Sequence, residues 1–193
     1  MVAALLLLVV LPVLRARLRH GVEAFVVFES RRPIHRLADG WMMCVELAWL
    51  AWTFVYWLAE PKSLGIFVTP AWVAPAGWVV ALSGAALTGV AQAQMGAAFR
   101  IGIGASHTTL VTGGLFAHSR NPIFAAVILS FAGIGIVTLS PWSIMGTALT
   151  VAVFQLQSRL EEEHLVQTHG DAYRQYAART GRFLPRIGRI PSR

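Results

Sequence analysis

The sequence has few charged residues for its length. Asp, Glu, Lys and Arg make up 13% of the 193 residues, whereas 56% are hydrophobic and the mean hydropathy is +0.61. Soluble domains carry about 25% charged residues, because their surfaces face water. The shortage of charge therefore excludes an ordinary soluble domain and a disordered chain, and it predicts an integral membrane protein.

Cysteine is nearly absent as well. The single cysteine, Cys44, lies within a hydrophobic stretch. One cysteine excludes an intramolecular disulfide and any metal site built from several thiolates. We therefore expect neither a disulfide scaffold nor a bound metal.

Acidic residues are scarce relative to basic ones, nine against 16, which gives a net charge of +7. In a soluble protein such an excess suggests nucleic-acid binding. Here the arginines lie between the hydrophobic stretches and do not alternate with aromatic residues along one surface. We expect no nucleic-acid partner.

Five hydrophobic stretches approach the length of about 20 residues that a helix needs to cross a bilayer. They cover residues 2–14, 40–59, 72–91, 122–139 and 141–157. Ser140 followed by Pro141 is typical of a helix start, so the last two helices should form a tight hairpin. The predicted fold is all-α, a single integral membrane domain with five transmembrane helices.

The positions of Lys and Arg predict the orientation of these helices. Residues 15–39, 92–121 and 158–193 contain 15 of the 16 basic residues, and only Lys62 lies elsewhere. Because cytoplasmic loops are rich in Lys and Arg, the N-terminus should be outside and the C-terminus inside. We expect a bacterial or archaeal cell membrane protein with its chemistry on the cytoplasmic face.

The stretch at 92–121 contains several glycines and ends at a helix start. Gly102 and Gly104 enclose one residue, a weak signal that a flexible turn also explains. Asn121 should cap the fourth helix, with Pro122 in its first turn. The positive helix end next to Arg120 could hold an anion such as a carboxylate. The alternative is a positive-inside arginine beside an ordinary helix start.

An acidic cluster, Glu161 to Glu163, follows the fifth predicted span. Successive helical residues point in different directions, so at most two of the three can face the interior. The alternative is a solvated helix end. After it, Gly170 suits a helix C-cap and Asp171 a new N-cap. Tyr173 and Tyr176 share one face of the short helix that follows, and their expected role is packing.

Two separated motifs resemble the integral membrane methyltransferases typified by isoprenylcysteine carboxyl methyltransferase, which are related to phospholipid methyltransferases. The resemblance covers residues 94–186, roughly half the chain. The matching residues are Leu110, Val111, Thr112, Gly113, Gly114, Leu115, Phe116, Arg120, Asn121, Pro122, Ile123, Phe124, Glu161, Glu162, Leu165, Gly170, Tyr173, Tyr176, Arg179, Arg182, Phe183, Leu184 and Pro185.

The resemblance implies S-adenosylmethionine (SAM) as the methyl donor and S-adenosylhomocysteine as the product. It divides the chain into three N-terminal helices, residues 1–91, and a cofactor-binding part, residues 92–186, whose pocket the C-terminal segment closes. The residues that it assigns to the cofactor are Arg120, Asn121, Pro122, Glu161 and Glu162, with Leu110, Val111 and Gly113 as backbone contacts and His118 nearby.

The acceptor is less well defined by the resemblance. Carboxyl-methylating members look to have an arginine one turn before the first Glu of the pair, where this chain has Gln157, and a neutral Gln cannot pair with a carboxylate as Arg does. The acceptor should be lipophilic and enter from the membrane lipids. Glu161 is the catalytic candidate, with His118 and His164 as weaker ones. Glu46, within the second span, should line a substrate channel or bond to a neighbouring helix.

Three functions remain open at this point. The first is methyl transfer to a carboxylate of an isoprenylcysteine-like or other lipid. The second is N-methylation of a phospholipid or amine. The third is a transporter or assembly subunit without enzymatic activity that uses Glu46 as a proton or ion site. A reductase that uses NADPH is disfavoured, because no strand–glycine–helix unit is present. The oligomeric state is open.

Overall fold

The computed structural model describes residues 13–14, 17–18, 21, 26–30, 32–101 and 109–189. The predicted span at 2–14 lies almost entirely outside these residues, as does the Gly102–Gly104 turn. Within the described part the regular structure is all helical, as predicted. The α-helices are α1 (Pro33–Leu58), α2 (Val73–Met95), α3 (Pro122–Val137), α4 (Pro141–His169) and α5 (Asp171–Arg179).

Four of the predicted spans coincide with the four long helices. Among the described residues, two helices are long and apolar enough to cross a membrane, Pro33–Leu58 and Val73–Ala98, with mean hydropathies of 1.3 and 1.6. A shorter apolar helix is Pro122–Val137. Large hydrophobic side chains face outward from these helices, among them Trp57, Leu58, Val79 and Leu82. Such surface suits contact with lipid. The number of crossings and their direction stay predictions.

Local signals set the ends of several helices. Pro122 and Pro141 each stand in the first turn of a helix, as predicted. The Ser140 hydroxyl accepts a hydrogen bond from the Ser143 amide, and the Ser143 hydroxyl accepts one from the Ser140 backbone amide, which forms a capping box. The hydroxyl of Ser143 also donates to the carbonyl of Gly135 on α3, at 3.1 Å. This bond ties the two helices of the predicted hairpin together.

Three predicted boundaries were wrong. The second span was expected to begin at residue 40, but α1 begins at Pro33. The fifth span was expected to end at residue 157, but α4 continues without a break to His169, so the acidic cluster lies on the same helix. Asp171 was expected to cap the short helix. Instead Gly170, with a φ of +56°, ends α4 and precedes α5 without any side-chain cap, so that Asp171 is the first helical residue. Hydropathy does not distinguish these cases, because a helix can extend into water beyond the membrane.

Small residues bring α2 and α3 together closely. A Cβ atom at Gly77 would lie 2.9 Å from the carbonyl oxygen of Gly133, and one at Gly84 would lie 2.6 Å from that of Ala126. A Cβ at Gly133 would in turn overlap the backbone of Ala81. Helices in lipid associate through such close backbone approach. The pair therefore forms one rigid side of the bundle.

The helix α1 packs against α4 on the other side. The indole of Trp49 donates a 2.8 Å hydrogen bond to the hydroxyl of Thr150, and its ring stacks on Phe131 of α3 at 5.4 Å. At the end of α1, Trp52 donates to Thr138 at 3.0 Å. These contacts join α1, α3 and α4. Few contacts join α1 and α2 within the described part of the chain, and a cavity occupies the space between them.

Candidate active-site cavity

A cavity of about 470 Å³ runs through the helix bundle. Its walls come from α1 to α4, from residues 98–101 and 109–111, and from the two tyrosines of α5. Most of the lining side chains are apolar, and a few polar groups lie among them. Small-molecule sites in proteins have this composition and volumes of about 300–1,000 Å³.

The structure brings most of the predicted site residues to this cavity and leaves three away from it. The lining set contains eight of them, Glu46, Leu110, Val111, Arg120, Asn121, Pro122, Gln157 and Glu161, together with the weaker candidate His164. Gly113 and His118 are exposed and are not among the lining residues. Glu162 is buried, but its carboxylate bonds to protein groups and does not line the cavity. Their predicted cofactor contacts stay predictions.

The guanidinium of Arg120 is fully occupied by protein groups. Its Nε donates to Glu162 at 3.0 Å, and one terminal nitrogen donates to the carbonyls of Ala177 and Thr180. The other terminal nitrogen donates to the carbonyl of Gly188 at 2.9 Å and pairs with Glu162 at the same distance. An arginine has five N–H groups, and these contacts account for all five. Arg120 therefore holds the C-terminal segment against the bundle.

Glu162 is the centre of this arrangement. Its carboxylate accepts from Arg120, from the side-chain amide of Asn121 at 3.2 Å, and from Arg182 through two nitrogens, with Nη2 at 2.8 Å. Asn121 stands at the N-cap position as predicted, but its side chain makes no cap bond, and its Nδ2 donates to Glu162. The hydroxyl of Ser119 donates to the carbonyl of Arg182 at 2.9 Å. Hereafter the clasp means Ser119, Arg120, Asn121, Glu162 and Arg182.

The backbone completes the clasp. The amide of Arg120 donates to the carbonyl of Gly181 at 2.8 Å, and the amide of Asn121 donates to that of Arg182 at 3.0 Å. A Cβ atom at position 181 would overlap the carbonyl oxygen of Leu184, so only glycine fits the turn there. The segment after α5 is thus fixed beside the start of α3, next to the cavity.

Glu161 differs from its neighbour in having no ion pair among the described residues. Its side chain is half-buried at the cavity wall. Burial raises the pKa of Glu161 to about 7, with further contributions from the negative charges of Glu162 and Asp39. Glu163 points outward and is exposed. The expectation that at most two of the three carboxylates face inward is confirmed.

The two tyrosines of α5 have different surroundings. Both are buried, and their rings meet edge to face at 5.9 Å, as expected for packing residues. The hydroxyl of Tyr176 donates to the carbonyl of Phe116 at 2.6 Å. The hydroxyl of Tyr173 is buried at the cavity and has no hydrogen-bond partner among the described residues. A buried unpaired hydroxyl is costly, so that of Tyr173 suits a ligand.

One residue of the site was missed in the sequence. Asp39 is completely buried near the start of α1, where one carboxylate oxygen accepts from the amide of Phe28 at 3.1 Å. The other oxygen accepts from the side-chain amide of Gln157 at 2.9 Å. An acidic residue beside a hydrophobic stretch is a signal that could have pointed to Asp39. Its partner on α4 is 118 positions away, which no local pattern indicates.

Glu46 lies farther along the same helix. It is half-buried and lines the cavity, and Trp78 and Leu82 of α2 lie on the lining as well. No hydrogen bond or ion pair joins Glu46 to the residues that the structure describes. The cavity therefore reaches from Glu161 to the apolar outer surface of α2, where Leu82 is exposed.

Comparison with solved structures defines the class of fold. A solved structure of the eukaryotic intramembrane Ras methyltransferase ICMT (isoprenylcysteine carboxyl methyltransferase) has a TM-score of 0.54 with this protein at 21% sequence identity. The match covers 84% of this chain and 56% of the other, so this chain spans little more than half of that protein's length. At this identity the likeness shows the fold alone, which this chain shares with that intramembrane methyltransferase.

The sequence itself defines the family. A model of the phospholipid methyltransferase family matches residues 64–172, more than half of the chain. This chain belongs to the phospholipid methyltransferase family, and the family resemblance predicted from the motifs is confirmed. No curated protein sequence gives a significant match.

Proposed function

We propose that this protein transfers a methyl group from SAM to a lipophilic acceptor. The observation that carries the proposal is a largely apolar cavity in a methyltransferase fold, lined by Glu161, Gln157 and Tyr173, of which the last two each have a buried polar atom without a hydrogen-bond partner among the described residues. Polar atoms left unpaired in a buried site suit a ligand that completes their hydrogen bonds.

The groups around one end of the cavity fit the chemistry of SAM. The start of α3 supplies backbone amides that have no intrahelical partner, which suit the carboxylate of the donor. The carboxylate of Glu161 suits its ammonium or ribose hydroxyls, and the hydroxyl of Tyr173 can donate or accept. Leu110 and Val111 offer backbone groups and apolar surface. In this proposal the clasp supports the site, because the N–H groups of Arg120 are already bonded to protein.

Methyl transfer also requires that the methyl donor and the acceptor are aligned. The donor supplies an electrophilic methyl group, the sulfur retains the electron pair of the broken bond, and a lone pair of the acceptor forms the new bond. The protein must orient both partners and exclude water. Glu161, with a pKa raised to about 7, can take up a proton that an amine or hydroxyl acceptor releases.

The extent of the cavity supports a lipophilic acceptor. From Glu161 it continues to Trp78 and Leu82, on a helix apolar enough to cross a membrane. A lipid tail would occupy this part while its head group lies near Glu161. Carboxyl O-methylation and N-methylation are both compatible with this placement. We place the site on the cytoplasmic face, where fifteen of the 16 basic residues are predicted to lie.

Binding of labelled SAM to the purified full chain tests the proposal. We expect saturable binding that Glu161→Gln weakens by about tenfold or more, because a bond to a charged group contributes about 1.5–3 kcal/mol. Glu163→Gln is the matched control, since this exposed carboxylate lies two positions away on the same helix. The proposal fails if binding is not saturable, or if both variants bind SAM as the wild type does.

A further inference from the structure

Glu46 is an acidic residue in the part of the cavity that lies within the hydrophobic helices. It belongs to α1, and it lines the cavity together with Met42 and Met43 of the preceding turn. Side chains of a helix lean toward its N-terminus, so that of Glu46 lies over these two residues, at the cavity. Cys44 and Leu47 are exposed on other sides of α1.

The carboxyl group of Glu46 has no hydrogen bond or ion pair among the described residues. Unlike the hydroxyl of Tyr173, which also has no partner there, its oxygens are not fully covered by protein. Two hydroxyls of the cavity lining, those of Thr88 and Ser130, each donate to a carbonyl of their own helix. An acidic side chain within a membrane-spanning helix is costly unless it is paired. Glu46 therefore has the position and the need for a partner in the cavity.

Contacts between α1 and α4 give the depth of Glu46 relative to Glu161. The two helices run antiparallel, and Asp39 and Gln157 are level because their side chains share a hydrogen bond. Glu46 follows Asp39 by seven residues, which is about 10 Å along α1. Glu161 lies about 6 Å from Gln157 in the opposite direction. Glu46 and Glu161 are therefore about 16 Å apart along the bundle.

We propose that Glu46 binds a hydroxyl group of the acceptor lipid, about 16 Å along its chain from the group that is methylated. This inference rests on the proposed function, in which the reactive head lies near Glu161. It names the substrate class as a lipid with a second polar group partway along its hydrocarbon chain. An extended chain of about twelve carbons spans the distance, since single C–C bonds are about 1.5 Å long.

A hydroxyl suits this position better than a charged group or a plain hydrocarbon chain. It can donate to a carboxyl group in either protonation state, and it can accept from the protonated form. Transfer of a hydroxyl into an apolar site also costs far less than transfer of a charge. A plain chain leaves Glu46 without a partner, so the cavity selects against it.

The test measures binding of three labelled alcohols of equal chain length to the full chain in nanodiscs, each corrected for its partition into empty nanodiscs. Octadecane-1,12-diol carries its second hydroxyl at the expected distance, octadecane-1,2-diol carries it beside the first, and octadecan-1-ol lacks it. Uncharged heads keep the charge of Glu161 out of the comparison. We expect the wild type to bind the 1,12-diol about threefold to tenfold more tightly than either of the others, as for one hydrogen bond between neutral groups.

Two variants of Glu46 separate hydrogen bonding from the shape of the cavity. In Glu46→Leu the preference for the 1,12-diol should fall to about one, because the carboxyl group is gone. Binding of octadecan-1-ol should stay the same or become tighter, which shows that the cavity is intact. Glu46→Gln keeps a donor and an acceptor at this position and should retain the preference.

The matched control is Glu60→Leu, which changes an exposed acidic residue just beyond the end of α1 and outside the cavity lining. It should keep the wild-type preference. The inference is overturned if the wild type binds the 1,12-diol no more tightly than octadecan-1-ol, or if the preference persists in Glu46→Leu. Equal loss in Glu46→Gln and Glu46→Leu also overturns it, because the amide can form the same hydrogen bonds.

Binding of labelled SAM to the same samples distinguishes this inference from the proposed function. SAM binding without a preference for the 1,12-diol overturns the inference alone and leaves the proposed function standing. A preference that depends on Glu46, in a protein that binds no SAM, overturns the proposed function and leaves the hydroxyl site at Glu46 intact.

Discussion

The clasp and the cavity wall contain the same kinds of polar side chain in opposite states. In the clasp every N–H group of Arg120 has a protein partner, and Glu162 accepts from three side chains. On the cavity wall the hydroxyl of Tyr173 and the oxygen of Gln157 have none among the described residues. Satisfied groups stabilise the fold, and unsatisfied ones are available to a ligand.

Neighbouring carboxylates illustrate the difference. Glu161 and Glu162 are adjacent in a motif that the family resemblance assigns as a whole to the cofactor. Helical geometry points them in different directions, one to the cavity and the other to the two arginines of the clasp. Two adjacent residues of one motif therefore have different surroundings, Glu161 at a cavity and Glu162 in a cluster of ion pairs.

The largest expected effect comes from breaking the clasp. Glu162→Ala leaves the buried guanidinium of Arg120 without its counter-charge, which should cost about 3–5 kcal/mol of unfolding free energy. Thermal unfolding in detergent and proteolysis of residues 180–188 measure the loss. Glu163→Ala is the control and should melt as the wild type does. Equal melting of both variants would show that the clasp contributes nothing to stability.

Ionisation of Glu161 should have a smaller effect on both stability and affinity for the donor. Its raised pKa, about 7, means that the folded protein favours the neutral form, so this group makes the protein less stable as pH rises from 4.5 to 7. Affinity for a cationic donor should change in the opposite sense, rising about fivefold to tenfold between pH 6 and 7.5 as the carboxylate ionises.

Equilibrium dialysis of labelled SAM over this pH range measures the change. In Glu161→Gln the dependence on pH should disappear, because the amide does not titrate. A pH profile that is unchanged in the variant would assign the titration to another group and would remove Glu161 from the donor site.

The smallest expected effects come from the two buried tyrosine hydroxyls of α5, one bonded to a protein carbonyl and one without a partner among the described residues. Tyr176→Phe removes the bond to the Phe116 carbonyl and should cost about 1 kcal/mol of stability with little direct effect on SAM binding. Tyr173→Phe removes a hydroxyl without a described protein partner, so stability should hold while SAM affinity falls about threefold to tenfold. Melting curves and SAM binding of the two variants provide the measurement. Reversed effects would contradict the division between polar groups bonded to protein and polar groups available to a ligand.

Much of the fold could be predicted from the sequence, because its signals are local. Hydrophobic stretches long enough for a bilayer placed four of the long helices, and the prolines at 122 and 141 marked two of their starts. Prediction failed at the end of α4, where hydrophobicity stops at residue 157 but the helix continues to His169. Charged residues are as compatible with a helix in water as with a loop, so composition could not predict where α4 ends.

The roles of individual side chains were less accessible. The resemblance led to Arg120 as a cofactor residue, and the structure surrounds its guanidinium with carbonyls of residues 177, 180 and 188. It also led to Gln157 as a departure from the family pattern, without any indication of the carboxylate that orients its amide. Both contacts cross more than fifty positions of sequence, and neither is periodic.

By itself the sequence determined that this chain belongs in a membrane, which segments are helical, and which family it resembles. Composition, helix capping and motif spacing are local properties of the sequence, so they can be identified without the tertiary structure. Tertiary structure alone decided that Glu161 faces a cavity while Glu162 is buried in the clasp, and that Asp39 meets Gln157. Those outcomes depend on which helices pack together, and so does the division between groups that hold the fold and groups left for a ligand.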